Sequence, residues 1–93
     1  MLAGDYFMND QEHKKGFTII VNGTEHTVST EVVTFSALVD IAYPGHPDDP
    51  NVIFSITFER AESKPHQGTL APGGSVTVKK HGTIFDVVKT IRS

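Results

Sequence analysis

The stretch Phe17-Thr18-Ile19-Ile20-Val21-Asn22-Gly23-Thr24-Glu25-His26-Thr27-Val28-Ser29 decides how this chain folds. Its first five residues are aromatic or β-branched, the composition of a strand. Asn22-Gly23 follows at once. Both central residues of a type I′ turn need φ > 0, which asparagine tolerates and glycine adopts freely, so the dipeptide predicts a two-residue hairpin. Glu25-His26-Thr27-Val28-Ser29 then alternates as a partly exposed return strand. A lone hairpin is marginal in water, so other elements must cover one of its faces.

Working outward, Thr34 is placed to cap a helix, its hydroxyl accepting from an orphan N–H of the first turn. Phe35, Leu38, Val39 and Ala42 follow at i, i+3, i+4 and i+7 and form one apolar stripe, with Ile41 beside it. Pro44-Gly45 stops the helix. Eight to ten residues are too few to hold a helix alone, so it must lie across a sheet. Residues 43–51 form a loop with three prolines and two aspartates.

Val52-Ile53-Phe54-Ser55-Ile56-Thr57-Phe58-Glu59 is the next strand. Its alternation sends Val52, Phe54, Ile56 and Phe58 to one face and Ile53, Ser55, Thr57 and Glu59 to the other. Residues 61–68 make a polar connection. Thr69-Leu70 is a short extended piece with one buried anchor, and Pro72-Gly73-Gly74 is a turn. Ser75-Val76-Thr77-Val78-Lys79 alternates, His81-Gly82 turns, and Thr83-Ile84-Phe85-Asp86-Val87-Val88 is the last strand.

This order predicts an α+β domain: a mixed sheet of four to five strands with one helix packed across one face. The arrangement is the β-grasp. The last strand sits centrally, parallel to the first. Phe85 and Val87 would then face the helix with Ile19, Val21, Leu38, Phe54 and Ile56. Ile84 and Val88 are also apolar, so the pattern leaves both parities open for this strand.

At 93 residues the chain is one domain. Residues 1–15 read as a flexible polar leader carrying the apolar triplet Tyr6-Phe7-Met8, a short docking segment in the sharper reading. Residues 16–93 read as the domain with a short tail. There is no cysteine, which excludes a disulfide framework and a thiol nucleophile and fits a reducing cytoplasm. The net charge is −3 with no basic stripe, which argues against nucleic acid as a partner. Apolar runs are far shorter than the roughly 20 residues of a membrane span. The N-terminus shows neither the positive region nor the apolar region of a secretory signal.

Three stretches carry a family resemblance: Val21-Asn22-Gly23-Thr24, Leu70-Ala71-Pro72-Gly73-Gly74-Ser75-Val76 and Gly82-Thr83-Ile84-Phe85-Asp86-Val87. Together they resemble the bacterial multi-ubiquitin domain family, ubiquitin-like domains found beside activating, conjugating and peptidase proteins. The close of the chain, a lysine, a turn, a threonine-led strand and a basic tail, is similar to the end of ubiquitin. The resemblance spans roughly residues 16–93. It implies a protein modifier whose C-terminal carboxylate is adenylated by an E1-like activating enzyme, passed to an E2-like conjugating enzyme and joined to a target. A deubiquitinase-like peptidase would be a further partner. The residues matching that use are the conjugation tail Lys89, Thr90, Ile91, Arg92 and Ser93. Ubiquitin closes on Gly-Gly, and this sequence closes on Arg92-Ser93.

A ubiquitin-like sheet also offers its helix-free face to partners. The candidates there are Ile53, Thr57, Lys80, Ile84 and Val88, an apolar cluster with one cation. The five histidines, His13, His26, His46, His66 and His81, show no chelating spacing. No metal or cofactor is expected. Asp48-Asp49 lies in a proline-rich loop, where solvation explains a carboxylate pair. Pro72-Gly73-Gly74-Ser75 lacks the lysine and the following helix of a phosphate loop. No constellation points to an enzyme. The leading expectation is a modifier of a bacterial conjugation system. The alternatives are an unconjugated β-grasp adaptor that binds through its sheet and, behind it, a sulfur carrier.

Overall fold

The computed structural model describes residues 16–92; the leader and Ser93 lie outside them. Strand β1 (Phe17–Val21) and strand β2 (Thr24–Val28) pair antiparallel in full register, Val21 opposite Thr24 and Phe17 opposite Val28. The turn between them has Asn22 at φ 51° and Gly23 at φ 84°. Those are the two positive values that the primed turn requires.

Strand β3 (Val32–Thr34) leads directly into helix α1 (Phe35–Ala42). Thr34 caps the helix as expected, its Oγ1 accepting from the Ala37 N–H at 3.1 Å. At the other end the Tyr43 N–H donates to Val39 O at 2.8 Å. Leu38 and Val39 are buried, and Phe35, Ala37, Ile41 and Ala42 pack half-buried against the same core. Replacing Thr34 with alanine is expected to cost about 1 kcal/mol, read as a lower urea midpoint at unchanged slope.

After the proline-rich loop come β4 (Val52–Glu59), β5 (Gly68–Leu70), β6 (Ser75–Thr77) and β7 (His81–Ile91). The main sheet runs β2-β1-β7-β4-β5, with β7 central, parallel to β1 and antiparallel to β4. One helix lies on one face of this mixed five-stranded sheet, the expected α+β grasp. Ile19, Val21, Leu38, Ile56, Phe58, Phe85 and Val87 form the core between the two layers. This resolves the parity of the last strand in favour of Phe85 and Val87 inward.

Two features depart from the expectation. Val32–Thr34 forms a strand that pairs with β6 as a separate two-stranded sheet, Val33 opposite Val76. Both side chains are buried. Three residues are too few for an alternating pattern to stand out. The second is the start of β7. His81-Gly82 reads as a turn but belongs to the strand, because Gly82 at φ 98° absorbs one extra residue. Thr18 pairs with His81 and Ile19 with Thr83, the register slip of a bulge.

The Pro72-Gly73-Gly74 turn has the type II form, with Gly73 at φ 83° and the Gly74 N–H donating to Ala71 O at 2.9 Å. A Cβ on Gly74 would meet Ala71 O at 3.0 Å.

Candidate functional site

The helix covers one face of the sheet, and among the described residues nothing covers the other. Strand alternation dictates which side chains lie there. With Ile19 and Val21 inward, Thr18 and Ile20 of β1 point outward; with Phe85 and Val87 inward, Ile84, Asp86 and Val88 do. From β4 come Ile53, Ser55, Thr57 and Glu59, and from β2 Glu25 and Thr27, which stand opposite Ile20 and Thr18.

The registers turn this list into a geometry. Ile20 pairs with Glu25 on one side and with Ile84 on the other, and Ile84 pairs with Glu59. One transverse row across four strands therefore reads Glu25, Ile20, Ile84, Glu59. Three strand spacings separate its two carboxylates, about 14 Å. Asp86 stands one step along β7 opposite Thr57, which makes it the diagonal neighbour of Glu59. Val88, 53% exposed, and Ile53, 39% exposed, stand farther along the same face, beyond the rung of Asp86 and Thr57. A shallow groove of about 340 Å³ opens beside the row, lined by Thr57, Glu59, Gln67, Gly68, Ile84 and Asp86.

Four of the expected surface residues thus come together: Ile53, Thr57, Ile84 and Val88. Lys80 does not join them. Its Nζ lies 4.8 Å from the ring centroid of Phe17, which packs against the core on the helix side. The bulge at Gly82 separates Lys80 from the alternation of β7. The carboxylates Glu25, Glu59 and Asp86 were missing from the expectation, although the outward parity of Glu59 was legible in β4. Finding the row required the register, which depends on the bulge.

The expected tail lies differently from a free end. Lys89, Thr90 and Ile91 are the last residues of β7, paired with Phe54, Ile53 and Val52. The Arg92 N–H continues the ladder to Asn51 O at 2.7 Å. All four side chains are nevertheless exposed, Ile91 at 69%. Lys89 Nζ lies 5.9 Å from the centroid of the Tyr43 ring. Ser93 lies outside the described residues.

A second groove, about 370 Å³, opens on the helix side between α1 and the loop after it. Phe35, Val39 and Phe54 line it, with Asp40, Asp48 and Asp49 at its rim. His46 Nε2 sits 3.2 Å from Asp40 Oδ1, and its ring meets Phe54 edge-on at 5.3 Å. Asp49 Oδ1 accepts from the Asn51 N–H at 2.9 Å, so this carboxylate shapes the turn into β4. Among the described residues no three acidic or histidine side chains converge as metal ligands would.

Compared with known protein families, residues 17–91 match the model of the Multiubiquitin family. The chain belongs to the Multiubiquitin family. The match runs from the first residue of β1 to the last of β7, so the whole observed sheet and its helix form one Multiubiquitin domain with the ubiquitin-like β-grasp. No curated protein and no solved structure gave a match. The open sheet face and the exposed end of β7 are therefore surfaces of a ubiquitin-like domain. No described helix of this Multiubiquitin domain is long and apolar enough to cross a membrane.

Proposed function

We propose that this domain is a ubiquitin-like protein modifier, recognised on its open sheet face and joined to targets through the carboxylate that follows β7. Chemistry would be done by partners: an activating enzyme that adenylates the carboxylate, a conjugating enzyme that carries the acyl group on a cysteine, and a peptidase that removes it. The observation that carries this reading is the course of β7. The central strand crosses the whole sheet and delivers Ile91 and Arg92 to the surface. A chain leaving the domain there is held at its base by the central strand and is accessible beyond it. Residues 89–91 pair with β4, and the Arg92 N–H donates to Asn51 O just ahead of that strand. Separating that short ladder would let an extended tail enter a narrow channel.

That same ladder favours a second reading. A tail stitched to Asn51 and Val52 suits an adaptor that binds through its sheet and is never joined to anything. Intact mass separates the two. The protein is incubated with ATP and candidate activating and conjugating partners, alongside a chain lacking Ile91, Arg92 and Ser93. The expected result is a covalent adduct of the longer chain only. Stable binding of both chains to the partners, with no adduct from either, would replace the modifier by the adaptor.

A further inference from the structure

The open face has a charge pattern that defines what it can bind. Its centre is the half-buried pair Ile20 and Ile84. Glu25 flanks this pair at one end of the row and Glu59 at the other, with Asp86 beside Ile84. No lysine or arginine stands in these rows. Across the described residues, the one close pairing of a basic with an acidic side chain is His46 with Asp40, on the helix side. Glu59 and Asp86 are diagonal neighbours, about 7–8 Å apart and somewhat closer at Cβ, and they line one groove that has no lysine or arginine side chain in its wall.

Two like charges at that separation repel, and the repulsion is relieved by whatever cation enters. The helix-side groove differs in this respect, because His46 already stands against Asp40.

We propose that the open sheet face docks an arginine of a partner protein, its aliphatic stem along Ile84 and Ile20 and its guanidinium between Glu59 and Asp86. The inference rests on the reading of this face as a docking surface and not on conjugation. Arginine fits better than lysine. Its planar fork offers five donors and can meet two carboxylates at once, whereas an ammonium is a compact, strongly hydrated point charge. The stem covers the isoleucine pair while the head stays at the rim, the usual division of a long cationic side chain. The groove, about 340 Å³, is large enough for one such chain. A partner with an acidic rim would meet Glu25, Glu59 and Asp86 as like charges, so the pattern selects against it as well as for a basic one.

The test is an amide NMR titration of the full chain with the peptide acetyl-Leu-Arg-Leu-amide and with its neutral isostere, in which citrulline replaces arginine. Saturable shifts are expected at Ile20, Thr57, Glu59, Ile84 and Asp86. The arginine peptide should bind at least about tenfold more tightly than the citrulline peptide. That preference should shrink as salt is raised and vanish in the Glu59→Gln/Asp86→Asn double variant, which changes no buried side chain. Equal binding of the two peptides overturns the proposal, as do shifts gathered at Asp40, His46 and Asp48, a double variant that keeps the preference, and no shift at about 10 mM peptide, where a complex of even millimolar affinity would show. Concentration-dependent shifts of these amides without peptide would make a second copy the occupant. Shifts on deleting residues 1–15 would make it the leader, and either result replaces the partner arginine. The titration reads non-covalent contact and the mass assay reads an adduct, so one reading can fail while the other stands.

Discussion

Replacing Thr83 with valine is expected to destabilise the domain by about 2–4 kcal/mol, although the two side chains have nearly the same shape. Thr83 is fully buried, the one buried polar side chain among the described residues. Its hydroxyl closes two loops at once. Oγ1 accepts from the Lys79 N–H at 2.9 Å and donates to Arg60 O at 2.8 Å. Lys79 belongs to the connection from β6 to β7, and Arg60 is the residue at which the chain leaves β4. Arg60 holds φ 63°, a conformation that costs a non-glycine residue on the order of 1 kcal/mol and needs support from its surroundings. Valine supplies neither bond and leaves a donor and an acceptor without partners.

The loss is large against the roughly 5–14 kcal/mol that holds a domain of this length together. Serine separates the hydroxyl from the shape. Thr83→Ser keeps both hydrogen bonds and gives up one buried methyl, an expected cost of about 1 kcal/mol. Urea unfolding of the three proteins decides the matter. A valine variant as stable as the parent, with the loss confined to serine, would show that packing, and not the bridge, holds these loops.

Thr83 also shows what a sequence of this kind does and does not disclose. Its place in the last strand was legible, and so were the hairpin at Asn22-Gly23, the stripe from Phe35 to Ala42 and the alternation of Val52–Glu59. Each of those signals is local: a period, a cap or a dipeptide whose meaning lies within a few residues. What stayed hidden depends on register between distant segments. The row of Glu25, Ile20, Ile84 and Glu59 exists because Gly82 shifts β7 by one residue against β1. The same shift leaves Lys80 beside Phe17 instead of among the outward residues of β7. Val33 and Val76 meet across 42 intervening positions, in strands of three residues each, and neither strand announces itself alone.

Asn22 is the position where a local signal carried a second, distant meaning, and its replacement by alanine is expected to cost about 2–3 kcal/mol. The turn needs φ > 0 there, and asparagine is among the few side chains suited to it. Its amide, however, also reaches the central strand. Nδ2 donates to Val87 O at 3.1 Å, and Oδ1 accepts from the Val87 N–H at 2.8 Å. The Asn22 backbone N–H donates to Phe85 O at 3.0 Å. The side chain therefore continues the parallel ladder of β1 and β7 by one more residue, with an amide in the place of a peptide unit. Tyr43 Oη approaches the same Val87 carbonyl at 3.4 Å, so the helix end, the hairpin turn and the central strand meet at one backbone group. Glycine distinguishes the two roles of Asn22, since Asn22→Gly keeps the left-handed backbone and deletes the amide. If the clamp on Val87 matters, the glycine variant loses most of what alanine loses, and hydrogen exchange at the Val87 amide quickens in both. If the turn alone matters, glycine is close to the parent protein and the Val87 amide stays protected. The first result is expected, because two hydrogen bonds to a buried strand outweigh the conformational preference of one turn residue.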